Sequence, residues 1–134
     1  MRSHLEELKG VQRWFRTLIT GLAKDTPWLD EQFDQLNLAL AEGFTNAVRH
    51  AHAHLPDSTP IEIELWVSCQ QIEIRIIDRG EPFDPDSLSA PKPGALREGG
   101  YGWFLLRKLS DQVSYERWAD QFNCLRIIKT SKIT

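Results

Sequence analysis

The sequence is poor in sulfur, with two cysteines and one methionine in 134 residues, and it has no long hydrophobic run. Cys69 and Cys124 are two thiols without a Cys-x-x-Cys or ligand-like spacing, which favours small core hydrophobes over a disulfide. They read as small core hydrophobes in a reducing compartment, so a cytoplasmic protein is expected. The longest apolar stretches are only a few residues, far short of a membrane span. The opening Met1–Gly10 stretch carries Glu6 and Glu7 and lacks the apolar core of a signal peptide. Excess charge of one sign is also missing. Sixteen Lys and Arg against 19 Asp and Glu leave a net charge of -3, without the broad basic field that direct nucleic-acid or anionic-lipid binding uses. With no internal repeat, low-complexity tract or linker, the chain reads as one domain over residues 1–134.

What is present is a core-forming pattern, with 41% apolar residues. Leu8, Val11, Trp14 or Phe15, Leu18 and Leu22 recur at helical spacing from Leu5 to about Lys24, and Gly21 with Lys24-Asp25-Thr26-Pro27 predicts the stop. A second helix is expected from about Leu29 to Ala53, followed by a turn at Leu55–Pro60. Ile61–Val67 and Ile72–Ile77 alternate apolar with polar and read as an antiparallel hairpin across Ser68-Cys69-Gln70-Gln71. A long proline-punctuated loop spans Arg79–Gly99, a helix follows at Trp103–Leu109, and Val113–Trp118 with Asn123–Lys129 form a last pair of strands. The order predicts an α+β two-layer sandwich, with helices on one face of a mixed, largely antiparallel sheet.

Three segments carry chemistry. On the second helix, Glu42, Asn46 and His50 are spaced by four and project from one stripe. A carboxylate there can accept a proton, and an amide oxygen is a hard neutral ligand suited to Mg²⁺. A solvated helix face would show the same spacing by chance. Asp78-Arg79-Gly80 closes an apolar strand. It offers a carboxylate to an exocyclic amine beside a glycine that lets a ligand approach the backbone, although Asp-x-Gly is also ordinary turn chemistry. Gly99-Gly100-Tyr101-Gly102 leads into an apolar helix, where free N–H groups and the helix dipole favour phosphate. No Gly-Lys-Ser or Gly-Lys-Thr follows, and no strand leads directly into it, so it is neither a Walker A loop nor a Rossmann fingerprint.

In this order, the three segments resemble the N, G1 and G2 boxes of the GHKL ATPases, which share the Bergerat fold. Within that group the run Ala41-Glu42-Gly43-Phe44-Thr45-Asn46-Ala47-Val48-Arg49-His50 is similar to the Glu-x-x-x-Asn-Ala-x-x-His run of the anti-sigma factor serine/threonine kinases. The resemblance spans essentially the whole chain. It implies Mg-ATP as cofactor, with Asn46 on the Mg²⁺, Glu42 as general base, Asp78 on the adenine amino group and Gly80 beneath the base. Gly100 and Gly102 would lie beside the phosphates, and Arg79–Gly99 would be the lid, with Arg97 in reach of a phosphate. The implied partners are a sigma factor and an anti-sigma factor antagonist phosphorylated on serine or threonine, with a homodimer expected as in relatives.

Two features depart from the family pattern. Almost nothing precedes Leu5 where relatives carry a short strand, and Asn123-Cys124 stands where many relatives have Gly-Thr. These leave open an alternative, a partner-binding module of the same fold with little or no kinase activity. A histidine-kinase catalytic domain would need a phosphoacceptor helix ahead of it, and only His4 precedes the domain. His50, His52 and His54 read as helix-end or surface histidines, and the five tryptophans as core or partner-facing residues.

Overall fold

The computed structural model describes residues 7–51, 55–56, 59–80, 101–119 and 122–131. Helix α1 (Leu8–Leu22) buries Val11, Phe15 and Ile19, one residue per turn along a single stripe. Trp14, Leu18 and Leu22 form a neighbouring stripe that is partly exposed. Both sets repeat at helical spacing, and periodicity alone does not choose between adjacent stripes. The choice is made by Phe33, whose ring stacks on that of Phe15 at 5.7 Å, with the guanidinium of Arg16 4.5 Å from its ring centre. The helix runs through Gly21 and ends at Ala23, whose N–H donates to the carbonyl of Ile19.

The expected second helix is divided. A single turn, α2 (Trp28–Glu31), stops at Gln32, and α3 (Phe33–Asn46) follows. The indole N–H of Trp28 donates to the carbonyl of Cys69 at 3.1 Å, which pins α2 to the far turn of the sheet. After Asn46 the helix widens into a π-helical turn, Ala47–Ala51. A π turn breaks the spacing of four, so the stripe of Glu42 and Asn46 does not extend to His50 as in an α-helix. His52 and His54 lie outside the described residues.

Strands β1 (Glu62–Val67), β2 (Gln71–Asp78), β3 (Gln112–Ala119) and β4 (Phe122–Thr130) form one sheet in the order β1-β2-β4-β3, with every described pairing antiparallel. The β1–β2 hairpin has the expected register, Glu62 opposite Ile77 and Val67 opposite Ile72. Between the hairpins, α4 (Tyr101–Leu109) packs beside α3 and buries Leu106.

Alternation along the strands divides the sheet into two faces. Ile72, Ile74 and Ile76 of β2, with Leu125 and Ile127 of β4, meet the helices in one apolar core. The opposite face is a charged and aromatic lattice. Glu73 there is buried between Arg75 and Arg126, and Arg126 also reaches Glu116 at 3.5 Å. The guanidinium of Arg75 lies 4.4 Å from the ring centre of Trp66 and 5.7 Å from that of Trp118. Trp28 is therefore a core residue, while Trp66 and Trp118 are exposed on the sheet.

The two thiols do not share one environment. Cys124 is buried, with its thiol pushed up to about 12 by burial and inert as a nucleophile, whereas Cys69 sits exposed at the β1–β2 turn. The expectation of two core cysteines is thus corrected for Cys69. At the turn Trp28 meets the backbone carbonyl of Cys69, and the residue itself stays exposed.

Lys129 ends the core-facing row of β4 and is nearly buried. Its ammonium donates to the side chain of Gln35 on α3 and, at 2.9 Å, to the carbonyl of Leu109. It thereby ties the C-terminus of α4 to α3 and the sheet, where a cation also suits the helix dipole. Asp111 completes the joint by accepting from the backbone N–H and hydroxyl of Thr130 at 2.6 and 3.0 Å.

The stripe assignment on α1 has a direct check by chemical denaturation. Phe15→Ala is expected to cost about 3–5 kcal/mol, as for a fully buried aromatic. Trp14→Ala, at a position 36% exposed, is expected to cost under about 1.5 kcal/mol.

Candidate functional site

The core-facing rows of β2 and β4 do not stay apolar to their ends. Asp78 continues the row Ile72, Ile74, Ile76, and Asn123 continues the row Leu125, Ile127. Asp78 and Asn123 are direct cross-strand partners, and Arg117 of β3 is in turn paired with Asn123. The register therefore lays a carboxylate, an amide and a guanidinium side by side across three strands. Asp78 is 1% exposed and Asn123 is 0% exposed, so each needs hydrogen bonds in place of water.

Those bonds are present. The carboxylate Oδ1 accepts from the backbone N–H of Gly80 at 3.1 Å and from the amide Nδ2 of Asn123 at 2.7 Å. Oδ2 accepts from the hydroxyl of Tyr115 at 3.3 Å. Asn123 Nδ2 also donates to the carbonyl of Gly80 at 2.8 Å. Arg117 closes the set, donating to Asn123 Oδ1 at 3.1 Å and to the Gly80 carbonyl at 3.3 Å. The Asp-x-Gly turn is thus fixed at both backbone groups of Gly80.

Helix α3 brings Asn46 over this pair. Gly43, one turn earlier, makes the approach possible. A Cβ there would fall 2.5 Å from Ile76 Cδ1 and 3.0 Å from Leu125 Cδ2, inside normal contact. Gly43, Asn46, Ala47, Ile76, Asp78, Tyr115 and Leu125 enclose a cavity of about 10 Å³. Asn46 is 4% exposed, and its Nδ2 has no protein partner. A buried amide with an unused polar atom, facing the same small space as a buried carboxylate, suits a polar ligand between them. A half-turn of that amide would present its oxygen instead, the group a hard cation takes.

Burial raises the carboxyl of Asp78 above its ordinary 3.8, against the opposing pull of the Asn123 amide, the Gly80 N–H, the Tyr115 hydroxyl and the Arg117 charge. Glu42, half-buried on α3, is likewise raised above its ordinary 4.5 by burial, with Arg49 opposing. Glu42 does not line the cavity of Asn46 and Asp78. Gly102 lies within the first turn of α4, one residue past the helix start, where the sequence pattern had placed it ahead of the helix. The free N–H groups of that turn are those of Tyr101 onward. Gly100, Arg97 and most of the expected lid lie outside the described residues, as does the side chain of His50. Among the described residues, no group of three or more His, Cys, Asp or Glu could hold a metal, and no helix is long and apolar enough to cross a membrane.

Of the sequence-predicted residues, the structure thus joins Asn46, Asp78 and Gly80. It adds three that the sequence reading did not assign, Asn123, Tyr115 and Arg117. Their signal is the pairing of β2 with β4 and β3, which a strand pattern does not reveal. Asn123 stood out only as a departure from the expected Gly-Thr.

Comparison with known proteins places the site in context. The profile of the family described as histidine kinase-like ATPase domain matches residues 1–129. The serine-protein kinase RsbW of Oceanobacillus iheyensis is 36% identical over 106 residues, covering 73% of this chain and 66% of that protein. The proteins of the same name from Bacillus subtilis and Staphylococcus epidermidis are 29% identical over 106 residues and 28% identical over 112 residues, covering 73% and 77% of this chain. The match spans 66% of the Bacillus subtilis protein and 70% of the Staphylococcus epidermidis protein.

The burial of Glu42 makes a pH prediction. Its folded value lies above its unfolded one, so the native state binds the proton more tightly and stability falls as pH rises through the folded value. The stability it contributes is fully present below 4.5 and lost above the raised value. Glu42→Gln is therefore expected to melt higher than the wild type at pH 7.5, with the gap closing as pH falls toward 4.5 in thermal denaturation.

Proposed function

This chain belongs to the histidine kinase-like ATPase family, and from that premise we propose that it is an anti-sigma regulatory serine/threonine protein kinase. In this reading residues 1–134 form a single Mg-ATP-binding domain working in the cytoplasm. It holds a sigma factor away from polymerase and phosphorylates an anti-sigma factor antagonist, without touching nucleic acid itself. A homodimer is part of the proposal. The serine-protein kinase name of the relatives and the run from Glu42 to His50 support the kinase assignment. The observation that carries it is the buried Asp78 carboxylate at the end of β2, sharing a cavity with the unsatisfied amide of Asn46.

Each residue has a role that suits its setting. Asp78 accepts the adenine amino group through Oδ2, which still has a lone pair after Tyr115 is satisfied. Gly80, without a side chain, lets the base lie against the turn. Asn46 offers its amide oxygen to Mg²⁺, and Gly102 in the first turn of α4 offers its backbone N–H to phosphate, joined in this reading by Gly100, which lies outside the described residues. When bound, Mg²⁺ supplies charge neutralisation on the phosphates as the γ-phosphoryl is transferred. Glu42 takes the proton from the acceptor serine hydroxyl, and its raised value brings it nearer the pH at which it works.

Calorimetric titration with Mg-ATP, paired with a transfer assay on an antagonist protein, tests the assignment. Asn46→Ala is expected to weaken Mg-ATP binding by about tenfold or more. Glu42→Ala is expected to keep most of the binding and lose about a hundredfold or more in transfer. Transfer retained in Glu42→Ala would refute its role as base. Wild-type binding without transfer would leave a nucleotide-responsive partner-binding module of the same fold.

A further inference from the structure

We propose that Asn123 is the residue that sets base preference at this site, acting on the nucleotide through Asp78. The inference rests on the adenine reading given above. It concerns the first residue of the Asn123-Cys124 pair, which stands where many relatives have Gly-Thr.

The argument begins with lone pairs. An ionised carboxylate has about four places to accept hydrogen bonds, two on each oxygen. At Asp78, both places on Oδ1 are taken, one by the Gly80 N–H and one by Asn123 Nδ2. One place on Oδ2 is taken by Tyr115. A single acceptor position remains, on the oxygen that Asn123 does not hold. The carboxylate is thereby made one-sided, and it cannot turn to offer Oδ1 without breaking the 2.7 Å bond to the amide.

The amide itself is locked in one orientation. Its two N–H donors face two acceptors, Asp78 Oδ1 and the Gly80 carbonyl, and its oxygen faces the Arg117 donor. Rotation by a half-turn would set an oxygen against two oxygens and an NH₂ against a guanidinium, losing all three bonds. A side chain with a single donor, such as a threonine hydroxyl, could serve the carboxylate or the carbonyl, not both. Asparagine at this position therefore joins the acceptor group to the turn on which the base would lie. The β3–β4 register shifts between Arg117 and Ala119, next to the residue whose guanidinium meets the amide.

A fixed acceptor with a single open place discriminates sharply. It rewards a donor in one direction and leaves an oxygen facing an oxygen when the ligand brings a carbonyl there. ATP carries an amino group at the purine 6-position, and inosine triphosphate carries a carbonyl oxygen.

The experiment is calorimetric titration of wild type, Asn123→Ala and Asn123→Thr with Mg-ATP and Mg-ITP, with thermal unfolding to confirm that each variant is folded. Wild type is expected to favour ATP by roughly a hundredfold or more. Asn123→Ala is expected to bring that ratio down by about tenfold or more, through weaker ATP binding with ITP little changed. Asn123→Thr, which keeps one donor, is expected to fall between them, and it carries the test if the alanine variant does not fold. Equal losses for both nucleotides would make Asn123 a packing residue and overturn the inference while leaving the nucleotide site intact. An unchanged ratio in both variants would also overturn it. Failure of the wild type to bind either nucleotide would remove the adenine reading, and this inference with it.

Discussion

The close approach of α3 to the sheet at Gly43 is the constraint on which the site depends. With no side chain there, the helix settles against Ile76 and Leu125, and its next turn sets Asn46 over the end of β2. The same approach deprives Asp78 of water. A carboxylate in that position is tolerable only if the protein supplies its hydrogen bonds, and the neighbouring strands do so through Asn123, Tyr115 and the Gly80 turn. At the other end of the sheet, Lys129 solves the same problem for the opposite charge by bonding Gln35 and the Leu109 carbonyl. The apolar rows between these two polar ends supply the cohesion. The ends fix how α3 and α4 sit on it.

The layered architecture was legible because alternation and helical spacing are local properties. Ile72, Ile74 and Ile76 announce a strand with one buried face, and the Ser68–Gln71 turn is short enough to force a hairpin. Asn46 and Asp78 were legible as candidates because Asn46 stands four residues from Glu42 on one helix stripe, and Asp78 closes an apolar strand beside Gly80. What the pattern could not convey was anything decided by a partner distant in the chain. Phe15 was not separable from Trp14 until Phe33 stood opposite it. Asn123 gained a role only when β4 was seen beside β2 in a register that sets it against Asp78. The division of the second helix at Gln32 and its π-helical end are likewise products of packing. Trp28 reaches for the Cys69 carbonyl, and no propensity scale encodes that reach.

The outer face of the sheet obeys a different logic from the inner one. Its charges neutralise each other in place, with Glu73 between two arginines and Arg75 over Trp66. Ion pairs of this kind, partly shielded by aromatic rings, contribute little to stability one at a time, and their value lies in keeping an exposed sheet from presenting a plain apolar surface. Trp66 and Trp118 remain exposed within that lattice, each with its indole N–H turned to a glutamate of its own strand.

The cavity between Asn46 and Asp78 holds about 10 Å³, the room of one water molecule and far less than a purine ring. A ligand that meets both side chains there does so with a small polar tip, the rest of it lying outside the cavity. By letting α3 lie tight against Ile76 and Leu125, Gly43 acts as a gauge of how much of a ligand can pass between helix and sheet.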